Sequence, residues 1–378
     1  MGDISIVNPT TKDIPNQFYY IDLESVTGGV LSKLIIVNKS EAPSRAQRVV
    51  ETGDVLFQTV RPYQQNNYLV SGEFELPVVA STGYAQIRTE ENQRFLYSLL
   101  HTKSFLNEVL LRCTGSSYPA INSNDLKEIS TFIPERKEQK RIAELMQLLE
   151  ERIAKQRQLV EALKSYKRGA LSKLFPKKGE TTPEYRFAGF TEPWEQQKWC
   201  DTVDMSKEMV DPRNGTYNNL PHVAPGNIES FTGRLFDNVK TVEQEELISG
   251  KFHFHAGDII YCKINPQLGK YYFAQFEGLT SADAYVLNAK NGVIQDFLFA
   301  VLQTKDFFDY SVSVSKRSGM PKINREELNA YLFLAPSELE QEQIGAFLMH
   351  LDHLISAQRS RIDEYERMKA GLLQQLFI

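Results

Sequence analysis

Cysteine is scarce. Only Cys113, Cys200 and Cys262 occur in 378 residues, and no two form a Cys-x-x-Cys pair. That excludes a disulfide framework and a thiolate zinc cluster, and it suits a reducing compartment. No apolar run approaches the roughly 20 residues that cross a bilayer. The opening MGDISIVNPT has neither the basic region nor the apolar core of a signal peptide. Gly2 follows the initiator, but Ile6 stands where a myristoylation motif needs Ser or Thr. The expectation is a soluble, cytoplasmic protein. Phosphate-cradling signatures are missing too: there is no GxGxxG and no GxxxxGK[ST]. No nuclease-like carboxylate cluster is recognisable either. A formal net charge of −5 excludes a uniformly basic coat but leaves room for a local basic surface. His253-x-His255 would set two imidazoles on one face of a strand, yet no third ligand is evident in the text, so no metal is expected.

What is present is repetition. GSSYPAINSNDL (115–126) returns as RSGMPKINREEL (317–328), with Pro119, Ile121, Asn122 and Leu126 recurring at Pro321, Ile323, Asn324 and Leu328. A repeat of about 200 residues is a duplicated domain, not a solenoid unit. FLYSLLHTKSF (95–105) matches FLFAVLQTKDF (297–307), and GDVLF (53–57) matches GDIIY (257–261). Thr82-Gly83-Tyr84 pairs with Asp283-Ala284-Tyr285. Between these anchors the text diverges, RPYQQNNYLV in one copy and INPQLGKYYF in the other. Each copy therefore has a variable front, read as short strands and turns with helices near 93–112 and 295–310, and a faithful back.

The backs are free of internal proline from Pro134 to Phe175 and from Pro336 to Phe377, and each has its Pro at the entry, where a missing N–H does no harm. Apolar residues at Ile142, Met146, Leu149, Ile153, Val160, Leu163, Ala170 and Leu174 step by three and four, a heptad seam. The second seam is Ile344, Leu348, Leu351, Ile355, Ile362, Tyr365, Leu372 and Leu376. Polar residues interrupt both at matching places: Gln156 and Gln358, then Lys167 and Lys369. About 40 helical residues make a rod on the order of 60 Å long. Residues 135–175 carry 11 basic and 6 acidic side chains, whereas 337–377 carry 4 and 7. Opposite charge favours pairing the two helices with each other. The fold class expected is α+β. Two globular mixed α/β domains in tandem are joined by two long helices packed as an antiparallel coiled coil, with internal pseudo-two-fold symmetry.

This order of parts resembles the DNA-specificity subunit of type I restriction–modification enzymes. The resemblance rests on GDVLF/GDIIY, on the GSSYPAIN/RSGMPKIN pair and on the helix openings PERKEQKRI and PSELEQEQI. It also rests on YRFAGFTEPWEQQKW (185–199), similar to that family's lead-in to a target-recognition domain. The lead-in precedes copy two only; copy one opens at Met1-Gly2-Asp3, aligned with Cys200-Asp201. The resemblance implies a first target-recognition domain at 1–133 and a central helix at 134–178. A lead-in with the second domain follows at 179–335, and a distal helix at 336–378. It implies that each front reads half of a bipartite DNA site, while the helices fix the spacer and dock two methyltransferase subunits, with restriction subunits as further partners. S-adenosylmethionine, ATP and Mg would sit on those partners, and this chain would be no enzyme. Diverged fronts imply unlike half-sites, since two identical readers on a two-fold axis demand a palindrome.

Candidate DNA contacts are the polar, aromatic and basic residues of the divergent loops. In copy one they are Arg61, Tyr63, Gln64, Gln65, Asn66 and Tyr68. In copy two they are Lys263, Asn265, Gln267, Lys270 and Tyr271. Ser116, Ser117, Lys316 and Arg317, beside the repeated motif, are candidates for phosphate, while Pro119, Ile121, Pro321 and Ile323 are expected to be structural. Asn265-Pro266 faintly resembles the Asn-Pro-Pro-aromatic motif of adenine methyltransferases, but Gln267 and Leu268 follow. Two rival readings stay open: a stand-alone DNA methyltransferase or nuclease, and a coiled-coil tether between two protein-binding domains.

Overall fold

The computed structural model describes residues 1–11, 13–317 and 319–377. Ser318 of the repeated motif and Ile378, the last residue of the distal segment, lie outside the described residues. The chain forms two compact units, one from Met1–Gln156 with the end of the chain from Arg361, the other from Arg157–Ser360. Both long helices, Arg136–Leu174 and Glu338–Leu376, therefore contribute a stretch to each unit.

In the first unit the main sheet runs Ile6–Val7, Tyr84–Arg88, Val55–Gln58, Tyr68–Leu69, antiparallel throughout. The second unit repeats that order with Val203–Met205, Ala284–Ala289, Ile259–Cys262 and Tyr271–Phe273. Each unit adds a smaller mixed sheet. In the first it is Ile35–Asn38, Gln17–Ile21, Val78–Ser81, Ala46–Val50, with one parallel pairing. In the second it has five strands, Met209–Val210, Lys251–Phe254, Gly278–Thr280, Pro221–Val223 and Lys240–Thr241. The lead-in supplies Glu195–Lys198, which pairs with Leu332–Ala335 just before the distal helix.

The repeated words of the sequence are backbone instructions. Gly53 and Gly257 sit at φ 97° and 94°, where a side chain would be strained. The aspartate after each closes the turn, Asp54 accepting from the Glu51 amide and Asp258 from the His255 amide, both at 2.8 Å. Thr102 and Thr304 cap the helices Lys103–Leu111 and Lys305–Val314 by accepting from the amides of Phe105 and Phe307. Asn122 and Asn324 cap the short helices Ser123–Glu128 and Arg325–Asn329. Leu126 and Leu328 are fully buried there as anchors.

Gln139 and Gln341, the shared glutamines of the helix openings, are both 1% exposed. Each donates to a proline carbonyl at 2.9 Å, Gln139 to Pro134 and Gln341 to Pro336. Each accepts from the front that precedes it, from the Asn92 amide at 3.1 Å and the Ile294 amide at 3.0 Å. Glu340 is buried because Arg186 of the lead-in grips it through both oxygens, at 2.9 and 2.6 Å. That pairing raises Arg186 further above the usual range.

Within each unit the start of one long helix packs with the end of the other, so the pairing is antiparallel. In the first unit Ile142, Ala143 and Met146 share a core with Leu373, and Lys369 Nζ donates to Glu150 Oε1 at 2.7 Å. In the second, Ala170, Leu171 and Phe175 pack on the core that holds Ile344, Leu348 and Leu351. The expected seam positions lie inward. Ile142, Met146, Ile153, Val160, Leu174, Ile344, Leu348, Leu351 and Ile355 are buried. Leu149, Gln156, Leu163, Ala170, Gln358, Ile362, Tyr365, Leu372 and Leu376 are half-buried. Lys167 is buried and is held by Asp352 and Gln303. Burial pushes the Lys167 ammonium down and the Asp352 carboxyl up, each against the other's pull.

Candidate nucleic-acid interface

The divergent loops adopt one backbone in both units. After the strand Val55–Gln58 the chain enters the left-handed region at Arg61 (φ 55°, ψ 53°), makes one 3-10 turn at Pro62–Gln64, and returns through a left-handed Gln65. After Ile259–Cys262 the same path runs through Asn265 (φ 49°, ψ 56°), Pro266–Leu268 and Gly269. Proline opens each turn because its fixed φ is preset for that position. Asparagine tolerates the left-handed conformation; arginine there is uncommon and marks local strain. Asn265-Pro266 is thus the structural equivalent of Arg61-Pro62, a match that the divergent text conceals.

Each loop is stitched to the repeated motif of its own unit. The Arg61 amide donates to the Pro119 carbonyl at 2.7 Å, and the Asn265 amide to Pro321 at 2.7 Å. The Ile121 amide donates to Thr59 at 3.1 Å and the Ile323 amide to Lys263 at 2.9 Å. Bridges Val60–Ala120 and Ile264–Lys322 complete the match. The motif thus holds a loop of varying side chains against Pro119–Ile121 in one unit and Pro321–Ile323 in the other. Ile121 and Ile323 are buried, consistent with a structural part.

The candidate side chains divide into free and committed. Tyr63, Ser116, Ser117 and Lys316 are exposed. Gln64 and Gln267 are exposed but partnered, Gln267 donating to Asn265 Oδ1 at 3.3 Å. Arg61 lies with its guanidinium 4.3 Å from the centre of the Tyr118 ring. Gln64 accepts from Gln58 Nε2 at 2.8 Å, and Asn66 accepts from the Gly28 amide at 3.0 Å. Gln65 reaches the His101 carbonyl at 3.4 Å. Lys270 donates to the Pro225 carbonyl at 2.5 Å, and Arg317 pairs with Glu327 at 2.6 Å. Tyr68 and Tyr271 are corrections. Expected at the loop surface, they are 8% and 5% exposed and belong to the cores. Tyr68 packs beside Ile21, Val26 and Leu56, and Tyr271 sets its ring edge-on to Phe299 at 5.6 Å. In so short a strand, alternation has no phase that a reader can fix, and both side chains turn inward.

Three residues escaped the sequence reading. Tyr118 is 65% exposed beneath Arg61. Lys322 and Arg325 stand with Lys263 as a cationic group. Burial holds the Lys263 ammonium below the usual lysine range, and Lys322 and Arg325 reinforce that against Asp283. Lys322 lies inside the repeated motif, where copy one has Ala120, and that substitution was the available signal.

Both copies fall inside one known family. The profile of the type I restriction modification DNA specificity domain matches residues 14–165 and again 206–367. The chain belongs to that family. It is 30% identical over 285 residues to the type I restriction enzyme EcoDI specificity subunit of Escherichia coli, covering 68% of this chain and 61% of that protein. The chain thus spans less than two thirds of that relative. It is 20% identical to the MjaVIII specificity subunit of Methanocaldococcus jannaschii, over 97% of this chain and 86% of that one. Among solved structures, the type I restriction-modification S subunit from M. genitalium aligns with a TM-score of 0.62 at 12% identity, over the full chain and 94% of its own. A chain from a structural study of type I system assembly and conformational transition aligns at 0.56 and 22% identity, over the full chain and 96% of its own. These likenesses carry the fold: two specificity domains in tandem, each crossed by antiparallel helices. Among the described residues, no helix is long and apolar enough to cross a membrane.

Proposed function

We propose that the chain is the DNA-reading, non-catalytic subunit of a type I restriction–modification complex and works on DNA in the cytoplasm. Each unit reads one half of a two-part asymmetric site. The observation that carries this reading is the shared loop, alike in backbone path and in its backbone bonds to the repeated motif, different in nearly every exposed side chain. A fixed scaffold that presents changed side chains is what two readers of different sequences require. Arg61 suits guanine or phosphate, Gln267 and Asn265 suit adenine, and the Lys263, Lys322, Arg325 group suits phosphate.

The two long helices set the gap between half-sites and dock two methyltransferase subunits, and restriction subunits join where they exist. Adenine methylation and ATP-dependent cleavage then belong to those partners, which would hold S-adenosylmethionine, ATP and Mg. Unlike loops demand unlike half-sites, because a palindrome needs identical readers.

Exchange of residues 45–130 for the corresponding front of another family member tests this reading. The half-site read by the first unit is expected to change while the second half-site and the gap stay fixed. A change in both halves would overturn it.

A further inference from the structure

The smaller sheet of the second unit brings together a set of side chains that the DNA-reading proposal does not use. His253 lies on the strand Lys251–Phe254 and His255 just beyond its end. A spacing of two sets both rings on one side of extended chain, and their centres stand 4.5 Å apart. The neighbouring strand on one side, Met209–Val210, is preceded by Glu208; on the other, Gly278–Thr280 is preceded by Glu277. The pairings Met209–Phe252 and His253–Leu279 draw these carboxylates to the same place. Glu208 Oε1 lies 2.8 Å from His253 Nδ1, and Glu277 Oε1 lies 2.8 Å from His253 Nε2.

The donors converge. One ligand atom each from His253, His255 and Glu277 falls within 4.8 Å of the others. Around a tetrahedral zinc with bonds of 2.0–2.1 Å, donors stand about 3.3 Å apart. His255 and Glu277 are exposed, which leaves room to close that difference and a path for an ion to enter. His255 Nδ1, 3.8 Å from Asp258, would exchange that carboxylate for the ion. Glu208 completes the logic. A ligating histidine characteristically gives its other N–H to a carboxylate, which fixes tautomer and ring orientation. In the metal-free protein both ring nitrogens donate to carboxylates. An ion takes the place of the proton that Nε2 gives to Glu277, while the Nδ1 proton stays directed at Glu208.

We infer that His253 Nε2, a ring nitrogen of His255 and a carboxylate oxygen of Glu277 bind one divalent transition ion of the zinc type, with Glu208 orienting His253. Two imidazoles and one carboxylate leave a fourth position for water. The ion joins the end of the strand Lys251–Phe254 to the start of Gly278–Thr280, and Glu208 links Met209–Val210 to it through His253. The site belongs to one unit alone. In the first unit Val49 pairs with Val79 as His253 pairs with Leu279, and Glu51, at the place of His255, is spent on Arg88 at 3.0 Å. The sequence withheld the site because Glu277 lies 22 residues past His255, close only through strand pairing.

The test uses the untagged full chain, stripped with chelator and titrated with ZnCl2 by calorimetry and with CoCl2 by visible absorption. One equivalent is expected to bind, with a cobalt d–d band and a thermal midpoint that rises with Zn2+ concentration. His255→Ala and Glu277→Gln, both at exposed positions, should weaken binding at least tenfold and remove the band. Glu208→Gln should weaken it by about 10–100-fold, the range for a lost orienting carboxylate. The pair His350→Ala and His353→Ala, on the distal helix, should leave binding unchanged. Absence of binding, or binding that survives His255→Ala in a protein of unchanged circular dichroism, would overturn the inference.

Discussion

Arg61 and Asn265 occupy one backbone position in two units and carry different chemistry to it. Arginine in the left-handed region is tolerated because its amide is fixed to Pro119 and its guanidinium rests on Tyr118. Replacement by alanine removes the polar end and leaves that backbone in place. For Arg61→Ala the expected outcome is relaxed discrimination at one position of the first half-site, worth about 1–3 kcal/mol if the contact is to a base. Selection from randomised duplexes by the assembled complex would read it, with the second half-site as internal control. Lys322→Ala should instead weaken all sequences alike and lower the slope of log affinity against log salt by about 1.

A second residue carries a pH signature. His222 is 4% exposed, with Nδ1 2.6 Å from Glu245 and Nε2 buried without a partner. Burial holds its pKa below the usual histidine range, against the pull of Glu245. Folded His222 therefore resists a proton that the unfolded chain takes up below about pH 6.5. Its contribution is present above that pH and is lost as pH falls toward the folded value. Urea midpoints at pH 7.5 and 5.5 should differ more in the wild type than in His222→Gln. Equal differences would contradict the assignment.

The individual contacts were the least legible part of the sequence. Whether Gln64 and Asn66 are free depends on Gln58 and Gly28, partners set by the fold. Tyr68 and Tyr271 looked like interface residues only because their neighbours diverge.

At the scale of elements, the sequence spoke clearly wherever both copies need the same backbone. Thr102 and Thr304, Asn122 and Asn324, and Gln139 and Gln341 each satisfy helix-end or loop groups that would otherwise be buried unpaired. Gln341→Leu leaves the Ile294 amide and Pro336 carbonyl without their partner. It should cost about 1–3 kcal/mol in denaturant unfolding.

The heptad seam was readable from spacing alone, but the partner of its buried cation was not. Lys167 meets Asp352, which lies off the seam, and Gln303, which lies in the front. Lys167→Ala strands a carboxylate and should cost about 3 kcal/mol. The double change Lys167→Met with Asp352→Leu should be near neutral or stabilising. A double change as costly as the single one would show that the pair stabilises through more than its own charge compensation.

At the scale of the whole molecule, duplication was the legible fact, and it rested on a few anchors because the fronts have drifted so far. The equivalence of Arg61-Pro62 with Asn265-Pro266 needed coordinates. Both helices contribute to both units, so the account makes their length part of the specificity. Four residues inserted into one helix should change the permitted gap by about one to two base pairs or abolish binding, since they add about 6 Å against a base-pair rise of about 3.4 Å. Gel shifts on duplexes of graded spacer length would record it.

The central claim is that two unlike readers act at a fixed separation. Its most direct test is sequencing of modified adenines in cells that express this chain with its methyltransferase partner. The account predicts one motif of two different half-sites with a constant gap, methylated within both halves. A palindromic motif, a variable gap, or modification that persists unchanged without this chain would contradict it.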